Sequence, residues 1–252
     1  MATKKRTQKL VKTGFLELIR EPKTSFFIFI FPLFFLAMFG IMGQVIPKSQ
    51  SGLSFVEFMF PGILIFALLS TGLFGTSVPL IEMRKKGTLR LLQVTPLSKS
   101  TFLISQIAVR FIISILQIII FLLIGLAMNM FEVQLLPVLF AVSLLGMAMI
   151  LSLGFIFGGI LKSVELAGGL LGGFSAPLLI FSGVLLPLTI MPEAFEKVAM
   201  FIPFTYLGDL IRSIMFENGS PLYSTPTNLM AICGCTILFF FIAKLTFKWE
   251  SV

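Results

Sequence analysis

The chain has 252 residues, 57% of them hydrophobic and only 12% charged, with a mean hydropathy of +1.06. Soluble domains are about half apolar and about a quarter charged, so this composition excludes an ordinary soluble enzyme and points to a membrane protein. The net charge is +8 and histidine is absent, which removes the usual general base and zinc ligand. No metal site is expected. Positive charge beside membrane spans accounts for the basic excess without nucleic acid.

Residues 7–21 read TQKLVKTGFLELIRE. Leu10, Val11, Phe15, Leu18 and Ile19 recur at helical spacing with Gly14 on the same stripe, while Lys9, Lys12 and Arg20 lie among polar positions. This predicts an amphipathic helix lying in the membrane interface, ended by Pro22.

Six apolar runs follow, at about 25–46, 56–81, 101–129, 134–161, 167–190 and 228–247. Each meets or approaches the ~20 residues that a helix needs to cross a bilayer core. None alternates as barrel strands do, so the expectation is an all-α integral membrane protein of six transmembrane helices in a single domain, 1–252. In a six-span arrangement fifteen Lys and Arg residues fall on the side of the termini and three (Lys48, Lys197 and Arg212) on the other. Both termini are therefore expected in the cytoplasm.

The segment between the second and third runs, 82–99, opens EMRKKGTLRLLQVTPLS. Gly87 suits a turn, and Thr88 can cap a helix by accepting a backbone N–H. Leu89, Leu91, Leu92 and Val94 then supply a short apolar surface, and Pro96 stops it. Leucines exposed between charges suggest a docking surface for a partner.

On the third run Gln106, Arg110, Ser114 and Gln117 share one polar face. An intramembrane arginine is costly and faces protein or water, although Arg110 lies close enough to the run's start to snorkel. In the fifth run Gly168 with Gly172, and Gly169 with Gly173, form small-x-x-x-small pairs suited to close helix packing. Residues 187–227 join the last two runs. Pro192 suits the first position of one helix, Pro203 precedes a second near 205–217, and Asp209 and Arg212 are spaced to pair within it. Cys233 and Cys235 lie in the last apolar run and read as packing residues.

The stretch Glu82-x-Arg84-x-x-Gly87-Thr88-Leu89-x-x-Leu92-x-x-Thr95-Pro96-Leu97-Ser98 resembles the E-R-x-x-G-T-L-x-x-L-x-x-T-P-L-S motif of type-2 ABC transporter permeases. Two more segments agree in order. Phe58-Met59-Phe60-Pro61-Gly62 is similar to that family's F-x-x-P-G. Ser182-Gly183-Val184 through Pro187, Met191-Pro192, then Pro203-Phe204-Thr205-Tyr206 and Arg212 is similar to its S-G … P … M-P … P-x-T-Y … R region.

The resemblance implies the permease subunit of an ATP-driven exporter in the bacterial inner membrane. It implies two permease copies, identical or different, and separate cytoplasmic ABC ATP-binding subunits that carry ATP and Mg. This chain has no phosphate-binding loop of its own and is not expected to be an enzyme or to bind a cofactor. On the resemblance, 7–21 becomes an elbow helix and 88–94 a coupling helix. Glu82, Arg84, Gly87, Thr88, Leu89, Leu92, Thr95 and Pro96 then form the ATPase contact.

Residues 187–227 become re-entrant extracellular helices whose Pro187, Pro192, Pro203, Tyr206 and Arg212 belong to an exit lid. The expected pathway carries Phe35, Phe39, Phe66, Phe74, Phe174 and Phe181, suiting a hydrophobic or amphipathic substrate such as a drug, peptide antibiotic or lipid-like molecule. Polysaccharide-exporting members tend to carry an N-terminal R-x-R-Y-x-x-(S/T)-x-L-G-x-x-W pattern, which is absent here, the one Trp being Trp249. A glycan exporter, a secondary carrier or channel, and a non-transporting scaffold that docks a cytoplasmic partner are the alternatives.

Overall fold

The computed structural model describes residues 10–16, 20, 25–45, 54–87, 99–186, 188, 191–216 and 221–246. Among the described residues every regular element is helical. Residues 10–16 are helical. We number the longer helices α1 (Phe26–Val45), α2 (Phe55–Lys85), α3 (Lys99–Ala127), α4 (Val133–Ile160), α5 (Val164–Phe181), α6 (Glu193–Ala199), α7 (Pro203–Met215) and α8 (Thr225–Thr246).

Five of these, α1, α2, α3, α4 and α8, are long and apolar enough to cross a membrane. The fifth apolar run gives a shorter helix than its length predicts. α5 spans 18 residues and stops at Phe181, because Ser182 caps it and Gly183 takes φ +71°, a left-handed conformation that glycine adopts without strain. The next two helices, α6 and α7, meet at 95°, as a broken span or a re-entrant hairpin would. Pro203 occupies the first turn of α7, where its missing N–H costs nothing.

The second run corrects the expected boundary in the opposite direction. α2 begins in a capping box, Ser54 N–H donating to Glu57 Oε2 (2.6 Å) and Glu57 N–H to Ser54 Oγ (3.3 Å). It then runs through Lys85, four residues past the predicted end at 81. Glu82 and Arg84 therefore stand on the spanning helix itself, and Gly87 takes φ +69° in the turn that ends it.

α2 lies in the middle of the bundle: Phe60, Leu64, Ile65, Ala67 and Leu68 are fully buried. In a bilayer this burial gains dispersion contacts rather than release from water, so small residues that let backbones approach matter most. Gly154 of α4 is the tightest case. A Cβ there would overlap the carbonyl oxygen of Gly72 on α2. The outward faces of α1 (Phe27, Ile30, Phe34, Ile41) and α8 (Met230, Ile237, Phe240, Phe241, Leu245) are exposed and apolar, as contact with lipid tails requires.

Among the described residues two π-helical turns interrupt the α pattern, Phe26–Ile30 at the start of α1 and Ser70–Phe74 in the middle of α2. Such turns widen a helix and recur at functional sites.

Candidate functional site

A cavity of about 870 Å³ opens between α1, α2, the start of α3 and α5. Its long walls are aromatic. Phe27, Phe31, Phe35 and Phe39 descend α1, and Phe66 and Phe74 face them from α2. The rings pack edge to face, Phe31 on Phe35 at 5.0 Å and Phe35 on Phe66 at 5.7 Å between centroids, geometry that aromatic quadrupoles favour. The charged lining residues Glu82, Lys86 and Arg110, with Gln106, gather at one end, while Phe39, Ile63 and Leu185 close the other. The cavity is therefore amphipathic along its length. Its volume falls in the range of about 300–1,000 Å³ typical of small-molecule sites.

Of the six predicted pathway phenylalanines, Phe35, Phe39, Phe66 and Phe74 lie around this one space. Phe181 does not; its ring stacks on Phe195 of α6 at 5.1 Å. The side chain of Phe174 lies outside the described residues.

Arg110 does not snorkel. It is 2% exposed, and its Nη1 donates to the Gln106 carbonyl (2.8 Å) and Gln106 Oε1 (2.5 Å). Further along the same face, Gln117 joins the two π-turns. Its Nε2 donates to the Ile28 carbonyl (2.6 Å), and its Oε1 accepts from Thr71 Oγ1 (2.9 Å). Three helices that wall the cavity thus meet at one side-chain amide. The sequence marks Gln117 as polar within an apolar run but says nothing of these partners, 89 and 46 residues away.

The amphipathic segment at 10–16 packs beside this site. Val11 and Phe15 meet a small cluster of Ile28, Val109 and Ile113, and a Cβ at Gly14 would lie 3.1 Å from Val109. Its stripe is thus turned toward protein and not toward lipid alone. Leu18 and Ile19 lie outside the described residues.

At the far end of α2 a second constellation forms around Arg212. Its Nη2 donates to the carbonyls of Val184 (3.1 Å) and Phe58 (3.5 Å), and its guanidinium carbon sits 4.2 Å from the centre of the Phe58 ring. The expected Asp209–Arg212 pair does not form. Asp209 turns the other way, accepting from the backbone N–H groups of Leu222 (2.9 Å) and Tyr223 (3.1 Å) and from Asn228 Nδ2 (2.8 Å). It therefore ties α7 to the start of α8. Tyr206 lies on the rim, its hydroxyl donating to the Met200 carbonyl and its ring 5.1 Å from Tyr223. Burial pushes the Tyr223 phenol above its usual pKa, with Tyr206 and Asp209 adding to the effect, so that group stays neutral. Pro192 precedes α6 and Pro203 opens α7; Pro187 lies outside the described residues.

At the Arg84 end, Arg84 reaches across to α4, Nη2 donating to Gly158 O (2.6 Å) and Nη1 to Leu161 O (3.3 Å). A cation on the free carbonyls of a helix C-terminus suits both their valence and the helix dipole. Lys86 bridges Glu82 one turn back (2.9 Å). Thr88, Leu89, Leu92, Thr95 and Pro96 lie outside the described residues. Among the described residues the small-residue pairs of α5 meet no partner, a Cβ at Gly168, Gly169, Gly172 or Gly173 finding nothing within 4 Å. Gly168 and Gly172 line the cavity instead.

Residues 41–245 match the family described as "ABC-2 family transporter protein". The chain belongs to that family. It is 30% identical over 224 residues to "Putative transport permease ycf38" of Cyanophora paradoxa, covering 86% of this chain and 76% of that relative. It is 22% identical over 184 residues to "Putative transport permease YvfS" of Bacillus subtilis (strain 168), covering 71% and 72%. The chain is thus a multi-pass membrane permease of the ABC-2 family, as the motifs at Glu82–Ser98, Phe58–Gly62 and Ser182–Arg212 imply. In this permease two of those three motif segments converge in space. Gly62 packs under the Val184 carbonyl, at 2.8 Å from the Cβ it lacks, while that same carbonyl accepts from Arg212.

Proposed function

We propose that this permease subunit exports a hydrophobic or amphipathic molecule, and that the phenylalanine-walled cavity between α1, α2 and α5 is part of its route. The observation that carries this reading is the cavity's polarity, aromatic along its walls with Glu82, Lys86, Gln106 and Arg110 at one end. Such a space suits a molecule with a polar head at the Arg84 end and an apolar body extending toward Phe39 and Leu185. A glycan would leave its hydroxyls unpaired against phenylalanine, so a drug, peptide antibiotic or lipid-like substrate fits better.

Energy comes from a separate ATP-binding subunit, with ATP and Mg held there, since this chain carries no phosphate loop. That subunit docks at the Arg84 end, on the segment that leaves α2 at Gly87, with Thr88, Leu89, Leu92, Thr95 and Pro96 in the contact. The basic residues concentrated at that end support a cytoplasmic location for it. A second permease copy completes the pathway, and the Arg212 end, with α6 and α7, covers the exit on the other side.

The test is purification of the tagged permease from its native host in mild detergent, followed by ATP hydrolysis in lipid. A stoichiometric ATP-binding partner, lost in a Leu89→Asp, Leu92→Asp double variant that still inserts, supports the reading. A stable permease without such a partner overturns it in favour of a scaffold or carrier.

A further inference from the structure

The second half of α2 is fastened to α4 at every turn. Near Gly72 the two backbones touch at Gly154, as described above. Ser77 Oγ then donates to the Gly154 carbonyl at 2.8 Å. A Cβ at Gly158 would meet Leu80 Cδ1 at 3.0 Å and the Ser77 backbone at 3.3 Å. Arg84 finishes the series, its two terminal nitrogens on the carbonyls of Gly158 and Leu161. Just beyond, α5 begins. Ser163 Oγ accepts from Leu166 N–H (3.1 Å), and Lys85 Nζ lies 3.2 Å from Glu165 Oε2.

The two links differ in quality. Arg84 makes charge-assisted bonds to fixed backbone at a helix end. Lys85 and Glu165 are 48% and 78% exposed, so their pair is screened and weak.

We propose that Arg84 is an internal strut. It locks the end of α2 to the α4–α5 turn, so that force applied just past Gly87 moves α2, the end of α4 and the start of α5 as one body. This rests on the reading of the chain as a permease driven from that end. It assigns Arg84 a positioning role inside the chain, distinct from a direct contact with the ATP-binding subunit. α2 and α5 also form two walls of the cavity, through Phe66 and Phe74 on one and Gly168 and Gly172 on the other. A strut at their shared end makes those walls travel together.

The experiment uses the full chain in lipid nanodiscs with Cys233 and Cys235 replaced by Ser and spin labels at Lys86→Cys and Gly169→Cys. Gly169 has open space for a label. With labelled chain diluted into unlabelled chain so that only distances within one copy are read, the expected result is a single narrow distance distribution, broadened by Arg84→Ala and partly narrowed again by Arg84→Lys, which can still reach one carbonyl. A broad distribution in the parent, or an unchanged one in Arg84→Ala, overturns the strut whether or not ATP drives the protein.

A second arm uses the assembly with its ATP-binding subunit and a bis-methanethiosulfonate cross-link between Lys85→Cys and Glu165→Cys, a spacer being needed because the native side chains meet only at their tips. ATP-dependent labelling of a cysteine at Phe66 should survive that cross-link, vanish in Arg84→Ala, and return when the cross-link is added to Arg84→Ala. Loss of labelling on cross-linking the parent shows that the two ends must separate, and it overturns the proposal. Absence of any ATP response in the uncross-linked parent counts against the permease reading alone, because the distance distribution decides the strut separately.

Discussion

The guanidinium of Arg212 lies over the ring of Phe58, 4.2 Å from its centre, while Nη2 donates to the Val184 carbonyl at 3.1 Å. One side chain thereby joins α7 to the start of α2 and to the turn after α5. A lysine has neither the planar face to stack on Phe58 nor the forked donors. Hydrogen bonds to a charged group contribute about 1.5–3 kcal/mol, and a desolvated cation–π contact about 2. Arg212→Ala should therefore cost roughly 3.5–5 kcal/mol on these terms. Arg212→Lys should cost less. Thermal unfolding in detergent measures both, and equal stability of all three proteins would show that the contact does not hold the helices.

Asp209 gives a local prediction. Three donors from the Leu222–Asn228 region converge on its carboxylate. Asp209→Ala should release the Leu222 and Tyr223 amides, with hydrogen exchange there rising about tenfold or more, since roughly 1.4 kcal/mol corresponds to a factor of ten. Exchange in α4 should stay unchanged. A uniform rise across the chain would mean global unfolding instead.

The glycines separate into two groups. Gly154→Ala drives a methyl into the Gly72 carbonyl, and Gly62→Ala places one 2.8 Å from the Val184 carbonyl. Overpacking of this kind costs about 1–3 kcal/mol, more when the obstacle is backbone. Gly168→Ala and Gly172→Ala meet open space and should leave the stability of the single chain unaltered or slightly raised, because alanine is the better helix former. Melting temperatures of the four variants provide the comparison.

Gln117→Leu removes the amide that joins the two π-turns. It leaves the Ile28 carbonyl and the Thr71 hydroxyl without their partner, a penalty of about 1–3 kcal/mol for each stranded buried group. Gln117→Glu keeps an acceptor for Thr71 but loses the donor to Ile28. Both should loosen the cavity wall. Fluorescence of a dye at Phe35→Cys, made in the background without native cysteines, should shift in each variant. An unshifted spectrum in Gln117→Leu would remove Gln117 from the account.

Much of this fold is legible in the sequence because membrane spans announce themselves by length and apolarity alone. The runs at 56–81, 101–129 and 134–161 each contain most of one long helix. Hydropathy misplaces ends, however. Charged Glu82, Arg84 and Lys85 read as loop, yet they continue α2 because Arg84 finds carbonyls on α4 to bond. The run at 167–190 reads as one span, but Gly183 breaks it, and a run's hydropathy does not register a single left-handed residue.

Of the six phenylalanines expected along the pathway, Phe35, Phe39, Phe66 and Phe74 stand around one cavity; the sequence does not distinguish Phe181 from them, because its ring partner Phe195 lies beyond the break at Gly183. Spacing also favoured an Asp209–Arg212 pair. Backbone donors and acceptors from distant segments outcompeted it, and such groups carry no sequence signal.

ATP-driven export through the aromatic cavity, as proposed above, requires its exposure to alternate between the two sides of the membrane. It is tested most directly by labelling Phe66→Cys, in the Cys233→Ser, Cys235→Ser background, with a membrane-impermeant maleimide in the intact assembly. The labelling rate from one side should fall, and from the other rise, when ATP is added. A rate that ignores ATP while the bound partner hydrolyses it would rule out the cavity as the moving route and leave it a static feature of the fold.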